Sequence, residues 1–383
     1  MRILLLINGE TVPLPAHPEP HPERPALDYH ALALGLRERL GAEVDLADHR
    51  SVLGSRDPRV RLARAAAGCD AATACLGFLG RRNYDALFTI GEAVGIPLAL
   101  LLKGAARRPV HVTLGHRMTA PKKGVFYKVF RVQNAMDRVL VYSAFQRDYA
   151  RRAWGAGEDK VRMIPYAVDP GFFRPNPQAA VNPGQLCSIG SEWRDQDTLL
   201  RAMAGLPDLT LKLTAFSPWT KGANAIRPDK LPANVQAQRY TYVELRELYE
   251  TSMFSVVPVQ DADFAAGITA IIEAMAMGKA VITTATRGCH PGIVRDGENG
   301  LLVPLHDAEA MRAAIRRLAD DEGLRARMGA NARRWVEENA TLGHWVGHIA
   351  GAIQGALRPP ERVGAPAEPA YGAARRAPPH HRL

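Results

Sequence analysis

A chain of 383 residues with 47% hydrophobic residues can bury substantial cores, which excludes a globally disordered polypeptide and suggests about two to three domains of ~150 residues each. The formal net charge of +10 points to anionic partners or surfaces. Four cysteines (Cys69, Cys75, Cys187, Cys289) show neither metal nor redox spacing, so reduced thiols in a cytoplasm are expected.

In chain order, "RILLLI" (residues 2–7) predicts the opening strand. Asn8-Gly9 ends that apolar run, which is too short for a signal peptide. Leu32, Leu36 and Leu40 then share one helical face, with Gly41 as the stop. Residues 86–90, 110–114 and 138–143 read as further short buried strands, and Ser143 as the cap of the helix that follows. The longest uncharged apolar stretch, between Glu92 and Lys103, is about half a membrane span. Residues 93–136 hold no acidic side chain, while Lys103, Arg107, Arg108, Arg117, Lys122, Lys123, Lys128 and Arg131 all fall there. That charge suits anionic lipid headgroups or a phosphate-bearing acceptor, and a generally arginine-rich coding composition accounts for part of it. No helix-turn-helix, zinc or aromatic RNA-binding signature accompanies it, so nucleic acid is not an expected partner.

Residues 165–184 are rich in Pro, Gly and Asn and read as a linker. A second βα series follows, with strands expected at 185–190, 209–216, 254–259 and 279–284. A helix then runs from Asp307, with Met311, Ile315 and Leu318 on one face. From Arg358 the tail repeats Pro, Ala and Arg, too low in apolar content to fold. Alternating strands and helices imply parallel sheets with right-handed crossovers. The first strand is followed by no G-x-G-x-x-G, and neither a G-x-S-x-G elbow nor a P-loop occurs. His17 and His21 are four apart, but the prolines between them forbid a helical metal pair.

The most informative stretch is residues 263–304. Glu273 lies in a helix where Ile271, Ile272, Ala274, Met275, Ala276 and Met277 leave no polar face. A buried, unpaired carboxylate costs several kcal/mol, so it takes a partner: either a polar ligand or a neighbouring arginine. Gly267 precedes the helix, Thr269 sits in its first turn and Gly278 ends it. The free amides of such a helix start attract phosphate, and a strand–glycine–helix–strand arrangement binds nucleotides at the carboxyl edge of an open sheet.

"GITAIIEAMAMGKAVI" followed by "DGENGLLVP", together with "VRMIPYAVDPGFFRP" at 161–175, resembles the donor-binding signature and interdomain linker of retaining GT-B glycosyltransferases, family 4 in particular. The resemblance spans roughly residues 1–345 and is strong from Val161 onward. It implies two doubly wound, Rossmann-like α/β domains facing a cleft: an acceptor-side domain over 1–165, a linker over 166–184 and a nucleotide-sugar domain over 185–340. A helix over 341–357 would pack back on the first domain, ahead of a disordered tail over 358–383. The implied reaction is retaining transfer of a sugar from a nucleoside-diphosphate sugar to the hydroxyl of a glycan, lipid-linked or small-molecule acceptor. Neither metal nor cofactor is implied, and the protein would be cytoplasmic, with peripheral contact to the inner face of a membrane. Glu273 would bind the ribose, and Gly190, Gly267, Ile268 and Thr269 would line the donor site. His116, closing "VHVTLGH", would meet sugar or acceptor, or else be a structural histidine beside Arg117.

Several positions depart from the pattern. Ser191 stands where the family has Arg, and the nearby Lys is absent. Arg194 and Lys221 remain as partners for the diphosphate, although Arg194 among Glu192, Asp195 and Asp197 also reads as a solvated surface charge. The first acid of the family's Glu pair falls on Ala265, so Asp263 or the amides after Gly267 would take over contact with the transferred sugar. "HPGIV" has Gly292 where Glu is common, and residues 13–25, rich in Pro and His, replace the Gly-Gly loop after strand one. A catalytically weak sugar-nucleotide-binding accessory protein and a GT-B-like epimerase are the alternatives these departures leave open.

Overall fold

In the computed structural model the described residues are 1–13, 21–214, 231–288 and 292–358. Lys221, Cys289, His17, most of the tail and part of the Pro- and His-rich segment lie outside them. The first half alternates β1 (Arg2–Leu6), α1 (Asp28–Leu40), β2 (Glu43–Ala47), α2 (His49–Leu53), α3 (Pro58–Gly80), β3 (Ala86–Thr89), α4 (Glu92–Leu102), β4 (Val110–Gly115), α5 (Gly124–Lys128), β5 (Arg138–Val141), α6 (Ala144–Trp154) and β6 (Val161–Met163). The second half continues with β7 (Gln185–Ser188), α7 (Gln196–Ala204), β8 (Thr210–Thr214), β9 (Val235–Gln238), α8 (Tyr242–Thr251), β10 (Ser255–Val257), α9 (Ile268–Ala276), β11 (Val281–Thr284), β12 (Gly300–Val303), α10 (Ala308–Asp320), α11 (Glu322–Asn339) and α12 (Leu342–Leu357).

Among the described residues two six-stranded sheets form, in the orders β2-β1-β3-β4-β5-β6 and β12-β11-β10-β7-β8-β9, with every paired strand parallel. Both orders reverse direction once, between β1 and β3 in the first sheet and between β7 and β10 in the second. Such switch points open a crevice outside the carboxyl ends of the strands.

Most inner strands are apolar on both faces because helices cover both, whereas the edge strands β2 and β9 carry Glu43, Asp45, Gln236 and Gln238. Ile3, Leu5 and Ile7 join one core of the first sheet, whereas Leu4 and Leu6 join the other. In the second sheet Leu186 and Val256 enter one core, Cys187 and Val257 the opposite one. Met311, Ile315 and Leu318 are buried on one face of α10, whose amino end Asp307 caps by accepting from Ala310 N–H. Ser143 precedes α6 but makes no capping bond; its hydroxyl is buried without a hydrogen-bond partner. Strands β2, β6, β9 and β12 carry no separate expectation from the sequence.

The chain crosses between the halves twice. Residues after β6 run to the second sheet, and after α11 the chain returns as α12, which lies on α1 and the first sheet through Trp345, Val346, Ile349 and Ile353. Burying each such side chain contributes about 1.5–3 kcal/mol. The α1–α12 approach is close enough that a Cβ at Gly35 would stand 2.5 Å from Val346. The crossings are laid side by side: Val168 N–H donates to Ala340 C=O at 2.9 Å, and Val168 bridges Thr341. Among the described residues one helical stretch, residues 58–83, is long and apolar enough to cross a membrane by length and composition alone. It carries Asp70 and a non-helical Gly68, and it packs beside α4.

Candidate functional site

The loops after β7 and β10 meet at the switch point of the second sheet. After β7 the chain turns at Gly190 (φ +84°), passes Trp193 in the left-handed region (φ +55°) and reaches Arg194. After β10 it runs to Gly267 (φ +77°), which starts α9 with no side-chain cap. The amides of that first turn therefore remain available to a ligand. The left-handed backbone calls for glycine at both positions, and so does the space. A Cβ at Gly190 would run into the Arg194 guanidinium, and one at Gly267 would lie 2.9 Å from Val259 and 3.2 Å from Arg194.

Arg194 is thus not a solvated surface charge. Only 5% of it is exposed, and its Nη1 and Nη2 donate to the carbonyls of Glu192 (2.8 Å) and Ile189 (3.1 Å), while Nε is unpartnered. Burial pulls its pKa down to about 10, which leaves it cationic at neutral pH. Two of the neighbouring acids are used elsewhere: Asp195 caps α7 and receives a hydrogen bond from Thr198 Oγ1 at 2.7 Å, with His306 Nδ1 2.8 Å away, and Asp197 pairs with Arg201 at 3.0 Å.

Glu273 lies on α9, 8% exposed. Among the described residues no arginine pairs with it; the Tyr249 hydroxyl, 3.2 Å from Oε2 and equally 3.2 Å from Ala270 C=O, is its hydrogen-bond donor. Burial raises its pKa to about 7, against the lowering effects of Tyr249 and the Arg194 charge. A half-satisfied carboxylate of this kind can gain from hydroxyl donors.

Above these groups a cleft of about 720 Å³ opens between the halves, lined by Gly190, Arg194, Gly267, Ile268, Thr269 and, from the first half, His116. A smaller compartment of about 280 Å³ shares His116, Tyr142, Tyr166 and Thr269 with it and reaches Glu273 and Asp28. His116 follows β4, with its ring 3.5 Å from where a Gly91 Cβ would stand and 5.6 Å from the Tyr142 ring centroid. The ring faces the open cleft, yet surrounding protein desolvates it and holds its pKa below the ordinary histidine value. It is therefore neutral at pH 7, able to donate from one nitrogen and accept at the other.

Asp263, expected near the transferred sugar, is held in a contact between the halves. It is not among the cleft-lining side chains; Arg117 of the first half approaches it across the domain boundary, Nε to Oδ1 at 3.2 Å. The same guanidinium lies over the rings of Trp193 (4.4 Å) and Phe264 (5.0 Å), which meet edge to face. Arg117 N–H in turn donates to the buried Glu92 carboxylate at 2.7 Å. Ala265, in place of an acid, lines the cleft and touches cores of both halves. Asp261 is paired with Arg287 at 2.9 Å.

The structure thus brings together Gly190, Arg194, Gly267, Ile268, Thr269, Glu273 and His116, and draws Asp263 into an interdomain contact. Tyr249, Trp193 and Arg117 were not anticipated. Trp193 and Arg117 each adjoin a residue singled out in the sequence, but nothing local marks Tyr249, which meets Glu273 from α8. Among the described residues no three His, Cys, Asp or Glu side chains cluster as metal ligands.

Residues 191–335 match the family model described as glycosyl transferases group 1. Curated relatives include a D-inositol 3-phosphate glycosyltransferase of Kineococcus radiotolerans, 28% identical over 241 residues that cover 53% of this chain and 54% of the relative. Another of that description, from Streptomyces coelicolor, is 29% identical over 53% of this chain and 52% of its own length. The chain spans about half the length of these relatives. Among solved structures, sucrose-phosphate synthase of Thermosynechococcus elongatus superposes with a TM-score of 0.70 at 21% identity, covering 93% of this chain and 99% of its own. Anabaena HepE, in complex with UDP-glucose, superposes at 0.67 with 17% identity, covering 93% and 100%. The fold is GT-B, and its second half carries a glycosyl transferases group 1 domain.

Proposed function

We propose, from that domain and that frame, that the protein transfers a glycosyl group from a nucleoside-diphosphate sugar to an acceptor hydroxyl with retention at the anomeric carbon. The observation that carries this is Glu273, a buried carboxylate with one hydroxyl partner, beside Arg194 and an uncapped helix start on the floor of an interdomain cleft. In this reading Glu273 accepts hydrogen bonds from the donor's ribose, which favours its ionised form. The α9 amides and Arg194 face the diphosphate, where negative charge grows as the anomeric C–O bond breaks. Lys221 is a further candidate cation for the same charge.

The acceptor oxygen would form its bond to the anomeric carbon on the face the diphosphate leaves, and its proton would pass to the departing phosphate oxygen. No protein nucleophile is called for, so positioning and fixed charge supply the acceleration. His116, neutral and facing the cleft, would hydrogen-bond the transferred sugar or the acceptor. Asp263 would serve closure through Arg117 instead of touching the sugar. The family match over 191–335 and the UDP-glucose bound by Anabaena HepE support a nucleotide-sugar donor.

Isothermal calorimetry with a panel of nucleoside diphosphates tests this reading. Glu273→Ala is expected to weaken the best ligand on the order of 10–100-fold, the worth of one or two hydrogen bonds to a charged group. Unchanged affinity in a folded Glu273→Ala protein would refute the assignment.

A further inference from the structure

We infer that residues 121–131 form a docking surface for an anionic membrane, placed at the edge of the cleft. Single exposed apolar residues are ordinary on a protein surface, but contiguous ones are not. Among the described residues ten large apolar side chains are exposed, and Val125 (47%), Val129 (68%) and Phe130 (47%) are three of them within six positions. Val125 and Val129 are four apart on the turns of α5 and its extension, hence neighbours on one face. Phe130 lies beside them, its ring 6.0 Å from Phe126, which is partly buried against the core.

Along the chain the charge beside these residues is of one sign, the buried Glu92 carboxylate being taken up by Lys123 at 3.4 Å. Lys122, Lys128 and Arg131 are exposed, and no acidic residue occurs from 93 to 136. Lys103, also exposed, reaches the Phe130 carbonyl at 2.6 Å and adds a cation from the next element. Apolar side chains ringed by lysine and arginine suit an interface where the former enter the headgroup boundary and the latter meet anionic lipid. A nucleic acid would meet the charge equally well but would leave Val125 and Val129 in water.

The position gives the surface a use. Three residues separate Arg117 from Pro121, and Lys123 Nζ donates to the Arg117 carbonyl at 3.1 Å. The loop bearing His116 and the apolar surface are thus one continuous, braced segment. Docking would hold the acceptor side of the cleft against a bilayer, where a lipid-borne hydroxyl would reach it. This last step rests on the proposed transfer reaction; the docking itself does not.

Sedimentation of the full chain with vesicles separates the outcomes. Binding to vesicles of equimolar phosphatidylcholine and phosphatidylglycerol is expected to exceed binding to phosphatidylcholine alone by about tenfold or more, and to fall with added salt. Val129→Glu with Phe130→Glu should lower it at least about tenfold by removing the inserted side chains. Lys122→Glu with Lys128→Glu should lower it similarly, and all variants should keep the nucleotide affinity and far-ultraviolet dichroism of the parent. Failure of the parent to bind anionic vesicles, equal binding by the Val129/Phe130 variant, or preference for a single-stranded oligonucleotide over vesicles would each overturn the inference. Because vesicle binding needs no donor, such a failure is distinct from failure of the Glu273 test.

Discussion

In the second half, the loops beyond β7 and β10 close two glycines onto the Arg194 guanidinium; in the first, the loops beyond β3 and β4 set one glycine beside the His116 ring. All three glycines have positive φ. Only in the second half would a Cβ also collide with a side chain, because the 3.5 Å that separates a Cβ at Gly91 from His116 is ordinary contact. One wall of the cleft is therefore packed to its limit around a charge, and the other leaves its imidazole room. A wall that fixes its cation suits binding of a constant group such as a diphosphate. A wall with slack suits a partner whose shape differs between relatives.

That contrast can be broken experimentally. Gly190→Ala should combine backbone strain of ~1–3 kcal/mol with overpacking of ~1–3 kcal/mol, whereas Gly91→Ala should show the strain alone. Urea unfolding of both variants measures the difference, and equal costs would erase the distinction between the walls.

The next largest effect concerns Glu273. Its folded-state pKa of about 7 lies above the ordinary glutamate value of 4.5, so the folded protein holds this proton more tightly than the unfolded chain. The contribution is complete below pH ~4.5, is lost as pH rises through ~7, and amounts to ~3 kcal/mol. Unfolding free energies of wild type minus Glu273→Gln should decline across that window and level off above it. A flat difference would mean that the carboxylate is better satisfied than Tyr249 alone makes it. A ligand that donates hydrogen bonds to Glu273 should accordingly bind more tightly as pH rises through 7.

The smallest effect belongs to the contact joining the two walls. Arg117 and Asp263 are each partly exposed, so their ion pair is worth ~0–1 kcal/mol, and the two ring contacts ~0.5–1 kcal/mol each. Arg117→Ala should therefore cost little stability but enlarge the radius of gyration in small-angle scattering as the halves part. An unchanged radius would show that α12 and the linker suffice to hold the halves together.

What was legible in the sequence follows the range of the interactions involved. Gly267, Thr269 and Glu273 lie within seven residues, and an apolar helix with one acid announces its own burial. The place of Arg194 was legible but its surroundings were not. Flanking acids suggested water, whereas the turn folds its own carbonyls, Ile189 and Glu192, around the guanidinium. Tyr249 meets Glu273 across 24 positions and Arg117 meets Asp263 across 146, separations at which no local pattern carries information. The Ser143 cap failed for a related reason: a favourable residue type stood at the right place, but its hydroxyl is buried without making the capping bond.

The paired crossings at Val168 and Ala340–Thr341 constrain how the molecule can open. Two strands of chain bound to each other act as the spine of a book: rotation about them preserves the backbone bond, and sliding along them breaks it. The covers would swing about a single axis, so whatever admits a substrate must also lift Arg117 off Asp263 and its aromatic seat.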